Sequence, residues 1–202
     1  MRTAKKIWIL SGEASGDVYG AKLARELRLI AAERGETIEI VGMGGPEMRK
    51  ADIDIRVDST ELGVVGVIEV LKHIFTFIGI FFRLVGQAKR ERPGAVVLID
   101  YPGFNLLFAL MMYRHRIPVI WYVCPHLWVW GKWRLPVLAK ICTKMLVIFP
   151  FETEVFAHTK LRTEFVGHPL IDIVADRRIP GVERNPEDFL LLPGSRTMEI
   201  NF

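Results

Sequence analysis

Short apolar runs recur along the chain, separated by longer segments with helical periodicity. The runs are continuous rather than alternating, rich in Ile and Val, and bounded by Gly, Pro or Asp, as in strands that are covered on both faces. They predict strands at Ile7–Leu10, Ile38–Val41, Ala95–Ile99, Val119–Val123, Met145–Phe149, Phe165–Val166 and Phe189–Leu192. Helices are predicted at Asp17–Arg34, Val67–Glu91, Asn105–Arg114, Lys132–Cys142 and Phe151–His158. This alternation predicts an α/β fold with a Rossmann-like parallel sheet and helices on both faces.

One polar segment interrupts the pattern near the end of the chain. Residues 176–187 carry two prolines and few apolar side chains, which is typical of a linker. We therefore predict a first domain over residues 1–175, a linker over 176–187 and the start of a second domain over 188–202. Because this last piece holds only a strand and one helical turn, we expect the second domain to be truncated.

The predicted helix Val67–Glu91 has an unusually wide apolar face. At about 100° per residue its polar side chains form one narrow stripe around Glu69, which leaves an apolar face of about 240°. Such a helix is either buried on two sides, or offers its additional apolar face to lipid or to an acyl chain. For the second alternative the contact residues are Phe75, Phe77, Phe81 and Phe82.

The net charge of +4 is unevenly distributed. Residues 101–151 contain six Lys and Arg, no Asp or Glu, and four of the five tryptophans. A basic, Trp-rich surface is typical of contact with anionic lipid or a phosphorylated partner, and here Trp128, Trp130 and Trp133 are the candidates. The alternative is a buried strand flanked by solvated helix ends.

The two cysteines, Cys124 and Cys142, lie among apolar neighbours and are predicted to be buried, reduced thiols.

The longest uncharged apolar stretch, Ile74–Phe82, is nine residues long. A membrane-spanning helix needs about 20 residues, so we expect a cytoplasmic protein.

Small and polar residues follow several of the predicted strands. The segments are Ser11–Asp17 (SGEASGD), Gly42–Pro46 (GMGGP) and Asp100–Asn105 (DYPGFN). The carboxyl ends of parallel strands form the edge where open sheets bind ligands. A carboxylate there, such as Asp100, can accept a proton from a substrate hydroxyl, although a lone aspartate at a strand end more often has a turn or capping role. The dinucleotide pattern G-x-G-x-x-G is absent from the sequence.

Two further segments carry candidate polar contacts. His126, which follows the strand at Val119–Val123, can donate a hydrogen bond to a sugar or phosphate, although a single histidine is more often structural. Ser195 and Arg196 lie in Leu192–Arg196 (LPGSR), where the arginine fork can bind phosphate.

Together, in this order and at these spacings, the segments resemble the lipid-A-disaccharide synthase family. One departure is Cys124-Pro125-His126, where the family more often has Ser-Pro-Gln, and another is length, since the family is about twice as long. The matching segments are SGEASGD, GMGGP, DYPGFN, Pro125–Trp130 (PHLWVW), Phe149–Glu152 (FPFE), Phe165–Leu170 (FVGHPL) and LPGSR with Glu199.

The resemblance implies an inverting glycosyltransferase of lipid A biosynthesis, of which this chain is the N-terminal half of a GT-B fold. It implies transfer of 2,3-diacylglucosamine from its UDP derivative to lipid X, 2,3-diacylglucosamine 1-phosphate, with release of UDP and with no metal or cofactor. Asp100 is the implied general base. The implied substrate contacts are Ser11, Glu13, Ser15, Gly16, Asp17, Gly44, Gly45, Asn105, His126, Ser195 and Arg196.

The implied partners are the two lipid substrates and the anionic surface of the inner membrane, on its cytoplasmic face. No nucleic acid is expected, a homodimer is left open, and the 202 residues alone are expected to be inactive.

Three alternatives remain at this point. A glycosyltransferase of peptidoglycan lipid intermediates would carry a Gly-Gly-His motif near its N-terminus, which this sequence lacks. A Rossmann oxidoreductase is disfavoured by the missing glycine fingerprint. A non-catalytic lipid-binding fragment is the third.

Overall fold

A computed structural model describes residues 5–59, 74–125, 127, 132–176, 187 and 189. The chain divides into two compact units, Met1–Pro169 and Leu170–Phe202. The first unit contains a parallel sheet of seven strands in the order β3-β2-β1-β4-β5-β6-β7. The strands are β1 Lys5–Ser11, β2 Ile38–Gly44, β3 Asp54–Asp58, β4 Ala95–Ile99, β5 Val119–Tyr122, β6 Lys144–Val147 and β7 Arg162–Phe165.

Helices connect these strands in the crossover pattern that parallel pairing requires. A 3-10 turn at Lys132–Arg134 leads into the fifth helix. The helices are α1 Ala14–Glu33, α2 Pro46–Lys50, α3 Ile74–Glu91, α4 Pro102–Arg114, α5 Leu135–Ile141, α6 Glu152–Phe156 and α7 Pro169–Asp176.

Apolar side chains cover the sheet on both faces. Successive residues of a strand point to opposite faces, so Trp8 and Leu10 of β1 enter one core cluster while Ile9 enters the other. Helices α3, α4 and α5 pack on the first cluster, and α1 and α2 pack on the second. The predicted α/β fold with helices on both faces is therefore confirmed.

The structure also contains elements that the apolar pattern missed. Strand β3 lies at the edge of the sheet and has the sequence DIRVD, in which only Val57 is buried. Helix α2 is five residues long and contributes only Met48 to the core. Both are too short or too polar to produce a continuous apolar run. The predicted strand Phe189–Leu192 falls, apart from Phe189, outside the described residues.

Helix α3 divides its phenylalanines between core and surface. Phe77 and Phe81 pack against the core cluster that α3 shares with α4. Phe75 is 85% exposed and Phe82 is 60% exposed, with Ile78 between them on the same side of the helix. Residues 67–73 of the predicted helix lie outside the described residues. Within the part of the chain that the structure describes, no helix is long and apolar enough to cross a bilayer.

Candidate active site

Strands β1 and β4 are neighbours at the centre of the sheet, with Ser11 in register with Ile99. Strands β2 and β3 are added on one side of β1, and strands β4 to β7 are added on its other side. The order of the strands therefore reverses between β1 and β4. Helix α1 leaves β1 toward one face and α4 leaves β4 toward the other. Loops that diverge in this way open a crevice at the carboxyl edge of the sheet. The segments 11–17 and 100–105 meet there.

Gly12 and Tyr101 bring the two loops into direct contact. A Cβ atom at position 12 would overlap the ring of Tyr101, so only glycine allows this approach. Burial, and then the negative charge of Glu13, raise the pKa of the Tyr101 hydroxyl. Neither Gly12 nor Tyr101 was predicted as a site residue. The feature of the sequence that could have indicated Tyr101 is an aromatic residue directly after the aspartate at the end of a strand.

The backbone after β4 is held in an unusual conformation. Asp100 and Tyr101 both have positive φ, at 46° and 48°. Non-glycine residues rarely adopt this left-handed region, and such strain concentrates at functional sites. Asn105, which is fully buried, stabilises this backbone conformation. Its Nδ2 donates to the carbonyls of Ile99 at 3.2 Å and Asp100 at 2.8 Å, and its backbone N–H donates to the carbonyl of Tyr101. The Asp100 N–H donates to the Tyr122 carbonyl at 3.1 Å.

Asn105 was predicted as a substrate contact, and the structure shows that its amide group binds the backbone of the Asp100 loop. Its Oδ1 is buried and finds no hydrogen-bond partner among the described residues. Whether substrate also reaches Asn105 stays a prediction, but its amide nitrogen already determines the shape of the loop that carries Asp100.

Two tyrosines, Tyr19 and Tyr122, form a ring pair on the Asp100 side of the crevice. The rings of Tyr19 on α1 and Tyr122 at the end of β5 lie 6.4 Å apart and tilted by 53°. Burial, and then the negative charge of Asp100, raise the pKa of the Tyr19 hydroxyl. Tyr19 therefore stays protonated at neutral pH and can donate a hydrogen bond into the crevice. Tyr19 was not predicted as a site residue, because it lies inside α1 and not at the end of a strand.

Asp17, another predicted substrate contact, is buried and caps a neighbouring helix. Its carboxylate accepts hydrogen bonds from the backbone N–H groups of Gly45 at 2.7 Å, Glu47 at 2.9 Å and Met48 at 3.1 Å. These groups open α2, which has no side-chain cap of its own. Asp17 thus joins the loop after β1 to the loop after β2.

The remaining residues of the first two motifs are explained largely by close packing. Ser11 is fully buried and its hydroxyl donates to the Glu13 carbonyl at 3.0 Å. A Cβ atom at Gly16 would lie 2.5 Å from Ser11 Oγ, and one at Gly44 would overlap Met48. Glu13 and Ser15, in contrast, are exposed at the start of α1. Direct substrate contact therefore stays a prediction that suits Glu13 and Ser15 best.

Glu152 is a buried carboxylate that the sequence analysis did not select. Its Oε2 accepts hydrogen bonds from the N–H groups of Ile148 at 3.0 Å and Phe149 at 2.9 Å, where the chain leaves β6. Burial, and then the charge of Glu152, raise the pKa of Cys124. The feature of the sequence that could have indicated this buried carboxylate is a single acidic residue directly after the apolar segment FPF.

Both cysteines are buried and free, as predicted. Burial raises the pKa of Cys142 to about 12, so neither thiol is a nucleophile at neutral pH. Among the described residues, no group of three or more His, Cys, Asp or Glu side chains is arranged to hold a metal ion.

Several predicted contacts fall outside the described residues: His126, Trp128, Trp130, Ser195 and Arg196. Trp133 is described and is 67% exposed, with the Arg134 guanidinium 5.1 Å from its ring centroid.

The family model described as lipid-A-disaccharide synthetase matches residues 7–202. The chain belongs to this family. The lipid-A-disaccharide synthase of Koribacter versatilis is 39% identical over 96% of this chain and 52% of its own length. The lipid-A-disaccharide synthase of Geobacter sulfurreducens is 39% identical over 98% of this chain and 50% of its own length. The chain thus spans about half the length of the curated family members that it matches.

A solved structure of Glycyrrhiza uralensis UGT73P12, complexed with glycyrrhetinic acid 3-O-monoglucuronide, aligns with 82% of this chain and 49% of its own chain. The TM-score is 0.47 and the sequence identity is 10%, which is too low to carry an argument about function. Family membership rests on the sequence matches, and these run through both loops of the crevice.

Proposed function

We propose that this chain forms the acceptor-binding half of a lipid-A-disaccharide synthase with GT-B architecture. The reaction joins the diacylglucosamine of a UDP-linked donor to the primary hydroxyl of 2,3-diacylglucosamine 1-phosphate. The observation that carries the proposal is the position of Asp100 at the crevice between β1 and β4, in a family whose named members are lipid-A-disaccharide synthases.

In this proposal Asp100 is the general base. Its carboxylate accepts the proton of the acceptor hydroxyl as that oxygen attacks the donor sugar carbon, and the bond to UDP breaks. The strained loop holds the carboxylate at the crevice, and Asn105 keeps the loop in place. The protonated Tyr19 phenol, on the Asp100 side of the crevice, is positioned to orient the acceptor. Arg196, in the segment 188–202 predicted to begin the second domain, would contact the donor phosphates.

The test is a full-length version in which this chain is followed by the C-terminal half of the Geobacter sulfurreducens relative. We expect disaccharide and UDP in equal amounts from the two lipid substrates, and no product from the 202 residues alone. A folded full-length version that binds UDP but yields no disaccharide would contradict the proposed reaction. Disaccharide formed by the 202 residues alone would contradict the proposal that this chain is only the acceptor-binding half.

We further propose that the exposed side of α3 contacts the membrane from which the lipid substrates come. Phe75 and Phe82 are seven residues apart and so lie on one side of the helix, next to Ile78. Leu107 on the neighbouring α4 is 57% exposed. An exposed apolar surface of this kind is typical of interfacial binding, and the basic residues of segment 101–151 suit anionic lipid.

Replacing Phe75 and Phe82 together by serine should weaken sedimentation of the chain with phosphatidylglycerol-containing vesicles by about tenfold or more, because each buried aromatic contributes about 1.5–3 kcal/mol. The matched control replaces Leu29 and Ile30, which are exposed on α1 across the sheet, by serine. Equal binding of the two double variants would show that α3 is not the contact surface.

A further inference from the structure

A second polar cavity lies at the edge of the sheet opposite the crevice. Its volume is about 250 Å³, and its lining residues directly precede β4 and β5. Arg92 and Pro93 follow the end of α3, and His115, Arg116 and Ile117 follow the end of α4. None of these lining residues is acidic, and three of the five carry cationic or hydrogen-bond-donating side chains.

The backbone at both arginines is left-handed, with φ of 45° at Arg92 and 57° at Arg116. Helix α1 ends in the same hydrogen-bonding pattern as α4, and there the left-handed position is occupied by Gly35. Glycine avoids a cost of about 1–2 kcal/mol that an arginine meets in this conformation. A positive charge at a helix C-terminus interacts favourably with the helix dipole, and these two arginines in addition line the same cavity.

Capping of the helix carbonyls does not explain the two arginines. The N–H groups of Arg92, His115, Arg116 and Ile117 already bind the carbonyls of the last helical turns, at 2.9 to 3.1 Å. The arginine side chains are thus not needed to satisfy the backbone.

Ion pairing with the neighbouring acidic residue, Glu91, does not explain the two arginines either. The carboxylate of Glu91 accepts the Trp8 Nε1–H at 3.1 Å and pairs with Lys6 at 3.1 Å and Arg56 at 3.7 Å. It is therefore engaged with residues of β1 and β3. The charge at the cavity itself remains positive.

We propose that this cavity binds a phosphate group, held between the guanidinium groups of Arg92 and Arg116, with His115 as an additional donor. Guanidinium forks match phosphate oxygens in pairs, and buried Pro93 and Ile117 form an apolar floor. The site is at the far edge of the sheet from Asp100, so it is separate from the proposed transfer reaction and does not depend on it. The phosphate comes either from a lipid headgroup or from a soluble phosphate compound.

The test is titration of the isotope-labelled chain with inorganic phosphate at constant ionic strength, followed by NMR. We expect saturable shifts at residues 92 and 115–117. The double variant Arg92→Gly/Arg116→Gly should bind phosphate more weakly by about tenfold for each arginine removed. Because glycine suits both backbone positions, this variant should retain its thermal stability, so weaker binding cannot be attributed to unfolding.

The matched control is Arg25→Gln/Arg34→Gln, which removes two exposed charges from α1. It should bind phosphate as the parent does. Equal affinities for the two double variants, or no saturable shift at the cavity, would overturn the proposal.

Flotation with phosphatidylcholine vesicles that contain phosphatidic acid distinguishes the two sources of phosphate. Loss of flotation in the glycine variant but not in the control identifies a lipid headgroup. Unchanged flotation together with weakened phosphate binding identifies a soluble compound.

Discussion

Replacing Asp100 by asparagine should lower the turnover of the full-length version by about 100-fold or more, as expected for loss of a general base. Asparagine is the informative substitution because position 100 has φ of 46°, and asparagine tolerates this conformation almost as well as aspartate does. The side chain keeps its size, and the Asp100 carbonyl keeps its hydrogen bond from Asn105. The variant therefore removes the proton acceptor while it preserves the backbone conformation of the loop.

The measurement is the initial rate of disaccharide formation at saturating substrate. Asp58→Asn is a matched control, since Asp58 also ends a strand at this edge of the sheet but lies on outer strand β3, paired with Arg49 at 2.8 Å. It should retain parental turnover. Turnover of Asp100→Asn close to that of Asp58→Asn would remove Asp100 from the role of base.

Replacing Asp17 by alanine should lower the free energy of unfolding by about 3–5 kcal/mol. The change leaves three backbone N–H groups at the start of α2 without their acceptor, in a place from which water is excluded. Each unsatisfied buried donor costs about 1–3 kcal/mol, and the three costs are not fully additive. The free energy of unfolding of Asp17→Asn should lie between those of Asp17→Ala and the parent, because one carbonyl oxygen remains to accept two of the hydrogen bonds.

Urea unfolding of the 202-residue chain measures this effect. The same substitution at Asp54, an exposed residue paired with Arg56 at 2.9 Å, should change the free energy of unfolding by no more than about 1 kcal/mol. If Asp17→Ala were as stable as Asp54→Ala, the cap on α2 would contribute little, and a direct role of Asp17 in substrate binding would be the better explanation for this residue.

Much of the fold was predictable from local patterns. A strand covered on both faces needs a continuous apolar run, so β1, β2, β4, β5 and β6 are visible in the sequence itself. The positions of the motifs at strand ends also followed, because parallel strands place their carboxyl ends along one edge. Strand β3 and helix α2 were missed because an edge strand and a single helical turn bury too few side chains to leave a pattern.

The roles of individual residues in the crevice depended on contacts distant in sequence. Asp17 binds backbone groups 28 to 31 positions away, and Gly12 packs under Tyr101. Neither contact has a periodicity that could be read along the chain. The exposure of Phe75 and the partial burial of Phe81 likewise depended on where α4 packs on α3, although both residues lie on the wide apolar face of one helix.

The α/β class, the order of most elements and the position of Asp100 at a strand end follow from local apolar patterning, and the amino-acid sequence is enough to predict them. Three features depend on tertiary packing: the order of strands reverses between β1 and β4, Asp100 and Tyr101 adopt a left-handed backbone stabilised by Asn105, and two arginines line one cavity at the opposite edge. The physical reason is that each of these features is a relation between segments far apart in the chain, and only packing of the sheet and its helices brings those segments together.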